Sequence, residues 1–133
     1  MLRANIGELK LLIADLEPCV VALQETKVGQ TTVSPDIVGR HYTLLLESND
    51  THYWQHGVGL AIREGIPFER VHIDTTIHVV AARIHAPIQV NVVSVYVPPS
   101  SNQCQVALSE LFTLLEGPVM LLGDFNAHHL AWG

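Results

Sequence analysis

The sequence predicts a layered α/β fold, with sheets packed face to face and helices outside. Three observations point there. From Tyr42 to Tyr96 the chain is a series of short apolar runs, rich in β-branched residues and separated by turn formers. Each end of the chain instead joins an amphipathic helical pattern to an apolar strand. Hydrophobic residues fill 48% of the 133 positions, as expected of strands covered on both faces.

The elements follow in order. Asn5 and Glu8 have the spacing of a capping box, and Ile6, Leu9, Ile13 and Leu16 fall on one helical face that Pro18 ends. A strand is predicted over Cys19–Leu23, closing in Gln24-Glu25-Thr26. A polar loop with Gly29 and Ser34-Pro35-Asp36 leads to a strand over Tyr42–Leu46. After the turn-rich Glu47–His56, Gly57–Arg63 reads as a strand whose Gly-Val-Gly allows close backbone approach or a bulge. Phe68–Ile73, Ile77–Ile84 and Val90–Tyr96 are further strands, the last ending at Pro98-Pro99. Asn102 and Gln105 suggest a second capping box, and Cys104, Leu108, Leu111 and Leu115 a helical stripe that Gly117-Pro118 ends. The apolar run Val119–Leu122 then breaks at Gly123 into Asp124-Phe125-Asn126-Ala127-His128-His129.

Length and composition set bounds. A chain of 133 residues is at most one domain, and folding such a domain buries roughly two-thirds of its surface. No repeat, low-complexity tract or linker stands out. The first helix has no strand before it and the last strand no element after it, so both ends read as cut. Cys19 and Cys104 are far apart and follow no C-x-x-C spacing, which suggests two buried thiols in a reducing compartment. Met1–Asn5 lacks the apolar core of a signal peptide. Ile77–Val97 is broken by Arg83, His85, Pro87, Gln89 and Asn91, so it is two strands and not a membrane span. Both features point to an intracellular protein. The formal charge of −6 argues against a sticky basic nucleic-acid binder. It leaves room for an enzyme whose local cation is a metal held by acidic ligands.

At Glu25, Tyr96, Asp124 and Asn126 an apolar strand gives way to a functional group. Ends of neighbouring strands converge on one rim, where open α/β sheets build sites. A carboxylate at Glu25 suits a hard cation such as Mg²⁺, which takes few protein ligands; a solvated strand-end glutamate is the plain alternative. The Tyr96 phenol can donate to a phosphoryl oxygen as charge builds, or be an ordinary strand-edge tyrosine. Asp124 and Asn126, two residues apart, point the same way on an extended segment. A carboxylate there can orient or deprotonate water and the amide can donate to phosphate, or the pair can form an Asx-turn. His128 and His129 lack a third ligand at metal spacing and read as part of a turn packed by Trp132. His41, His52, His56, His72, His78 and His85 read as surface or strand residues.

Together these motifs resemble the endonuclease/exonuclease/phosphatase superfamily. The matching words are Leu23-Gln24-Glu25-Thr26-Lys27, Gly57-Val58-Gly59-Leu60-Ala61-Ile62-Arg63, Ser94-Val95-Tyr96-Val97-Pro98-Pro99 and Gly123-Asp124-Phe125-Asn126. Each word is weak alone; their order and spacing make the likeness specific. The continuation Ala127-His128-His129-x-x-Trp132-Gly133 is similar to the endonuclease domain of LINE-type (non-LTR) retrotransposons of the jockey kind.

The resemblance implies a DNase I-like α/β sandwich of two sheets flanked by helices, here a single partial domain over residues 1–133, incomplete at both ends. It implies that Glu25 holds Mg²⁺ or Mn²⁺, that Tyr96 contacts the scissile phosphate, that Asp124 aligns or activates the attacking water, and that Asn126 binds phosphate. The substrate implied is DNA, nicked to leave a 3′-hydroxyl that primes a reverse-transcriptase domain of the same parent polypeptide, in the nucleus. Two elements of the pattern are missing: a first strand with a metal-site asparagine, and a late Ser-Asp-His strand. Asn5 fits a helix cap better than that asparagine, and His128 and His129 stand in the wrong place for that histidine. The chain alone is therefore expected to be inactive. The shared motifs also admit a phosphatase or sphingomyelinase-like phosphoesterase, or a remnant that is no enzyme.

Overall fold

In the computed structural model, which describes residues 6–24, 40–46, 58–75, 77–97 and 104–124, the first helix, α1 (Ile6–Leu16), stops where the spacing predicts. Glu17 takes a left-handed φ of 44° and its N–H closes the last turn on the Ile13 carbonyl at 3.0 Å. Pro18, with no N–H, carries the chain away. The elements that follow are β1 (Val20–Gln24), β2 (Tyr42–Leu46), β3 (Val58–Arg63), β4 (Phe68–Val71), β5 (His78–Ile84), β6 (Val90–Tyr96), α2 (Cys104–Leu114) and β7 (Val119–Asp124).

They form two sheets. One has the order β1-β3-β2, antiparallel throughout. The other has the order β4-β5-β6-β7, antiparallel except that β7 runs parallel to β6, with α2 as the crossover. The sheets stack face to face: β3 lies over β5 and β6, and β1 over β6 and β7.

Strand alternation sorts the apolar residues into three cores. Between the sheets lie Val58, Leu60 and Ile62 of β3, Val80, Ala82 and Ile84 of β5, and Val92 and Tyr96 of β6. The other face of the larger sheet offers Ala81, Val93 and Val95 to Ala107, Leu111 and Leu115 at α2. The outer face of the smaller sheet packs Leu23 and Ala61 against Ile13 of α1. The result is four layers, helix, sheet, sheet, helix, as the sequence predicts.

Several expectations are corrected in detail. The strand expected from Cys19 starts at Val20 and runs on to Gln24, because its pairing with β3 spans Val20↔Ile62 to Gln24↔Val58. Cys19 is exposed and free, not buried, since it lies before that pairing begins, on the bend after Pro18. The strand expected to reach Ile73 stops at Val71, where its ladder with β5 ends. Leu16 is 70% exposed, beside Leu11 at 72%, so the apolar face of α1 is only partly covered.

The last strand runs through Gly123 to the predicted tip at Asp124. Gly123 pairs with Val95 inside β7, and a Cβ on it would run into the Val95 carbonyl oxygen. The glycine marks close approach within the sheet, not its end. Gly59 also sits where strands press together, as the Gly-Val-Gly reading allows: a Cβ there would stand 3.0 Å from Leu46 Cδ2 and 3.2 Å from the Leu45 carbonyl.

Away from the strand tips, polar groups tie the layers. Asn91 is 2% exposed; its Nδ2 donates to the Glu116 carbonyl at 2.7 Å and its Oδ1 accepts from Arg83 Nε at 3.2 Å. It therefore fixes the turn from α2 into β7. At the start of β2, Tyr42 Oη donates to the Pro18 carbonyl at 2.5 Å.

Candidate active site

One end of the sandwich collects the strand termini. The ladders put the last residue of β1 (Gln24) opposite the first of β3 (Val58), and the first residue of β5 (His78) opposite the last of β6 (Tyr96). Tyr96 is in turn the register partner of Asp124, the last residue of β7. Across the larger sheet this makes one row: His78, Tyr96, Asp124.

The smaller sheet is tied to that row by a buried serine. Ser94, two residues before Tyr96, is fully buried. Its Oγ donates to the Leu23 carbonyl at 3.1 Å and accepts from Gln24 Nε2 at 3.1 Å. Such a group in an apolar core is tolerated because it is hydrogen-bonded. Both bonds fall on the last two residues of β1, so the point at which the chain passes from Gln24 to Glu25 is held over β6. Nearby, Arg70 Nη2 donates to the Leu46 carbonyl at 2.6 Å and joins the sheets again.

Of the four predicted site residues, the structure brings Tyr96 and Asp124 side by side. Glu25 and Asn126 lie outside the described residues, as do Asn5, His52, His56, Asn102, His128, His129 and Trp132. Tyr96 is not the open rim phenol that its place at a strand tip suggests. It is 2% exposed and its ring belongs to the core between the sheets. His78 stands beside it: the two rings are 6.3 Å apart between centroids, tilted by 47°.

His78, Ser94 and Gln24 are not among the candidate site residues that the sequence offers. The signal for two of them is visible once the strands are known. His78 keeps step with Val80, Ala82 and Ile84, and Ser94 with Val92 and Tyr96, so each is a polar residue on a face otherwise buried. His41, His72 and His85 are exposed, as expected.

Among the described residues, no group of three or more His, Cys, Asp or Glu is arranged to hold a metal ion. The donor expected for one, Glu25, is the residue after Gln24. A carboxylate is by its chemistry a fit donor for a hard cation such as Mg²⁺, which keeps most of its ligands as water.

The comparisons with known proteins agree with the fold. The sequence matches the Endonuclease/Exonuclease/phosphatase family over residues 4–133. No curated protein matches. Among solved structures, the endonuclease domain of TRAS1, a telomere-specific non-LTR retrotransposon, superposes with a TM-score of 0.70 at 14% identity, covering 96% of this chain and 57% of that one. The human Nocturnin catalytic domain, solved with a bound sulfate anion, gives 0.64 at 18% identity, covering 92% of this chain and 58% of that one. Both likenesses are of fold, and this chain spans less than three-fifths of either domain. The family match, by contrast, takes in nearly every residue from 4 to 133, and so the chain belongs to the Endonuclease/Exonuclease/phosphatase family.

Proposed function

We propose that the chain is part of a Mg²⁺- or Mn²⁺-dependent phosphodiesterase that nicks DNA. The observation that carries this reading is the meeting of strand ends: Tyr96 beside Asp124, with the end of β1 tied over them through Ser94. Because the solved domains it matches are much longer, the activity is proposed for the whole polypeptide and is not expected of residues 1–133 alone.

In this reading Glu25 would hold the cation, which when bound would supply neutralisation of the charge building on the phosphoryl oxygens. Tyr96 donates to an oxygen of the scissile phosphate, from a ring kept in one orientation by its burial. Asp124 orients the attacking water and accepts its proton. Asn126 donates to phosphate beside it. In-line attack leaves a 3′-hydroxyl. The match to a non-LTR retrotransposon endonuclease domain supports a role in which that end primes a reverse-transcriptase domain of the same polypeptide, in the nucleus.

The test is plasmid nicking by the polypeptide at its full natural length. Glu25→Ala and Asp124→Ala are each expected to slow nicking about a hundredfold or more. Full activity in both variants would overturn the reading. The charge of −6 favours a second one, a phosphoesterase acting on small phosphoesters that make few phosphate contacts. Turnover of such a substrate without DNA cleavage would select it.

A further inference from the structure

We propose that His78 is a further substrate-binding residue, whose imidazole holds, together with Tyr96, one phosphate group of the phosphodiester; this rests on the reading of the site as phosphodiesterase. The placement is set by the sheet. His78 opens β5 opposite Tyr96, so it stands in the row that ends in Asp124. It keeps step with Val80, Ala82 and Ile84, which fill the core between the sheets together with Tyr96. Along that face the apolar series gives way, at the site end, to an imidazole.

The chemistry of the row needs such a group. Asp124, as a carboxylate, accepts hydrogen bonds and repels a phosphate. Tyr96 and His78 carry the N–H and O–H donors of the row, and an imidazole keeps one N–H even when neutral. Rings at a centroid separation of 6.3 Å are close enough for two oxygens of one phosphate to accept from both, at about 2.8 Å each. In a chain with only 7 Lys and Arg against 13 Asp and Glu, donors that need not be permanently charged are the economical way to hold an anion. His78 is half-buried, so its ring is held by packing yet reachable from the end of the sandwich. By contrast, His41, His72 and His85 are exposed and lie outside this row.

The binding test uses the 133-residue chain and inorganic phosphate. Histidine ring signals are followed by NMR at constant ionic strength, with His78 assigned through its own backbone amide. Its ring signals are expected to shift and saturate, the signals of His41, His72 and His85 to stay, and Tyr96→Phe to weaken the response several-fold. A His78 ring that does not move, or that only drifts in step with the other three, overturns the proposal. In the polypeptide at full natural length, His78→Ala is expected to raise KM for plasmid about tenfold with a smaller change in kcat, and His78→Gln, which keeps a donor, to recover part of the loss. An unchanged KM in His78→Ala also overturns it. If the polypeptide nicks no plasmid while phosphate still shifts His78, the nuclease reading fails and this binding site stands.

Discussion

At the scale of single residues, Ser94 shows how far a sequence can be read. A serine two positions before a strand-end tyrosine gives no hint of its partners, which are 70 and 71 residues away. Replacing the fully buried Ser94 with alanine leaves the half-buried Gln24 amide and the buried Leu23 carbonyl without it. The expected cost is about 1–3 kcal/mol, read as a lower urea midpoint with an unchanged slope. Tyr42 offers a pH-dependent test. Burial raises its pKa above the ordinary value, more than the Arg63 guanidinium lowers it, with Glu17 and Cys19 adding to the rise. A folded pKa above the unfolded one favours the folded state below about pH 10, and that contribution is lost as pH rises through the folded value. Tyr42→Phe should therefore be less stable at neutral pH by about 1 kcal/mol, for the lost bond to Pro18. It should also decline less steeply in alkali. Denaturation curves of both proteins across that range check it. The places of Tyr96 and Asp124 are legible as strand ends with functional groups. Their adjacency is not, because register joins β6 to β7 across α2 and no local pattern encodes it.

At the scale of elements, the strands were the most legible part. Tyr42–Leu46 and Val90–Tyr96 have the limits that their apolar runs predict, since alternation and turn formers bound them on both sides. The misreadings came where tertiary pairing overrides local signal. The strand expected to reach Ile73 stops where its ladder with β5 ends, whereas β7 runs to the predicted tip at Asp124, and at Gly123 only a glycine fits against the Val95 carbonyl. Gly123→Ala is accordingly expected to cost about 1–3 kcal/mol, the range for forcing atoms into a packed site. The loss should be local. Amide exchange in β7 should accelerate well beyond that in β5, and equal acceleration in both strands would argue that the clash is absorbed elsewhere.

At the scale of the whole molecule, the four layers follow from faces that the pattern could supply: two buried sheets and two helices with one apolar face each. The sequence could not show how much apolar surface the helices leave open. Among the described residues, Leu11, Leu12 and Leu16 of α1 and Val106, Phe112 and Leu114 of α2 are each more than half exposed. Nor could it show which end of the sandwich gathers the strand tips, since that depends on the antiparallel ladder placing Gln24 opposite Val58.

The strand orders also carry a kinetic consequence. In the larger sheet each strand pairs with the one next in sequence, β4 with β5, β5 with β6, β6 with β7. In the smaller sheet β1 skips β2 to reach β3. Pairings between near neighbours close smaller loops and form sooner. Val93→Ala, at the centre of the larger sheet, is therefore expected to slow refolding, whereas Leu23→Ala in β1 should chiefly speed unfolding, as chevron plots would show. The sheet that bears Tyr96 and Asp124 is then the template, and β1 is the late arrival that brings up the residue next to Gln24. A nascent chain would thus hold Tyr96 beside Asp124 before β1 docks over them.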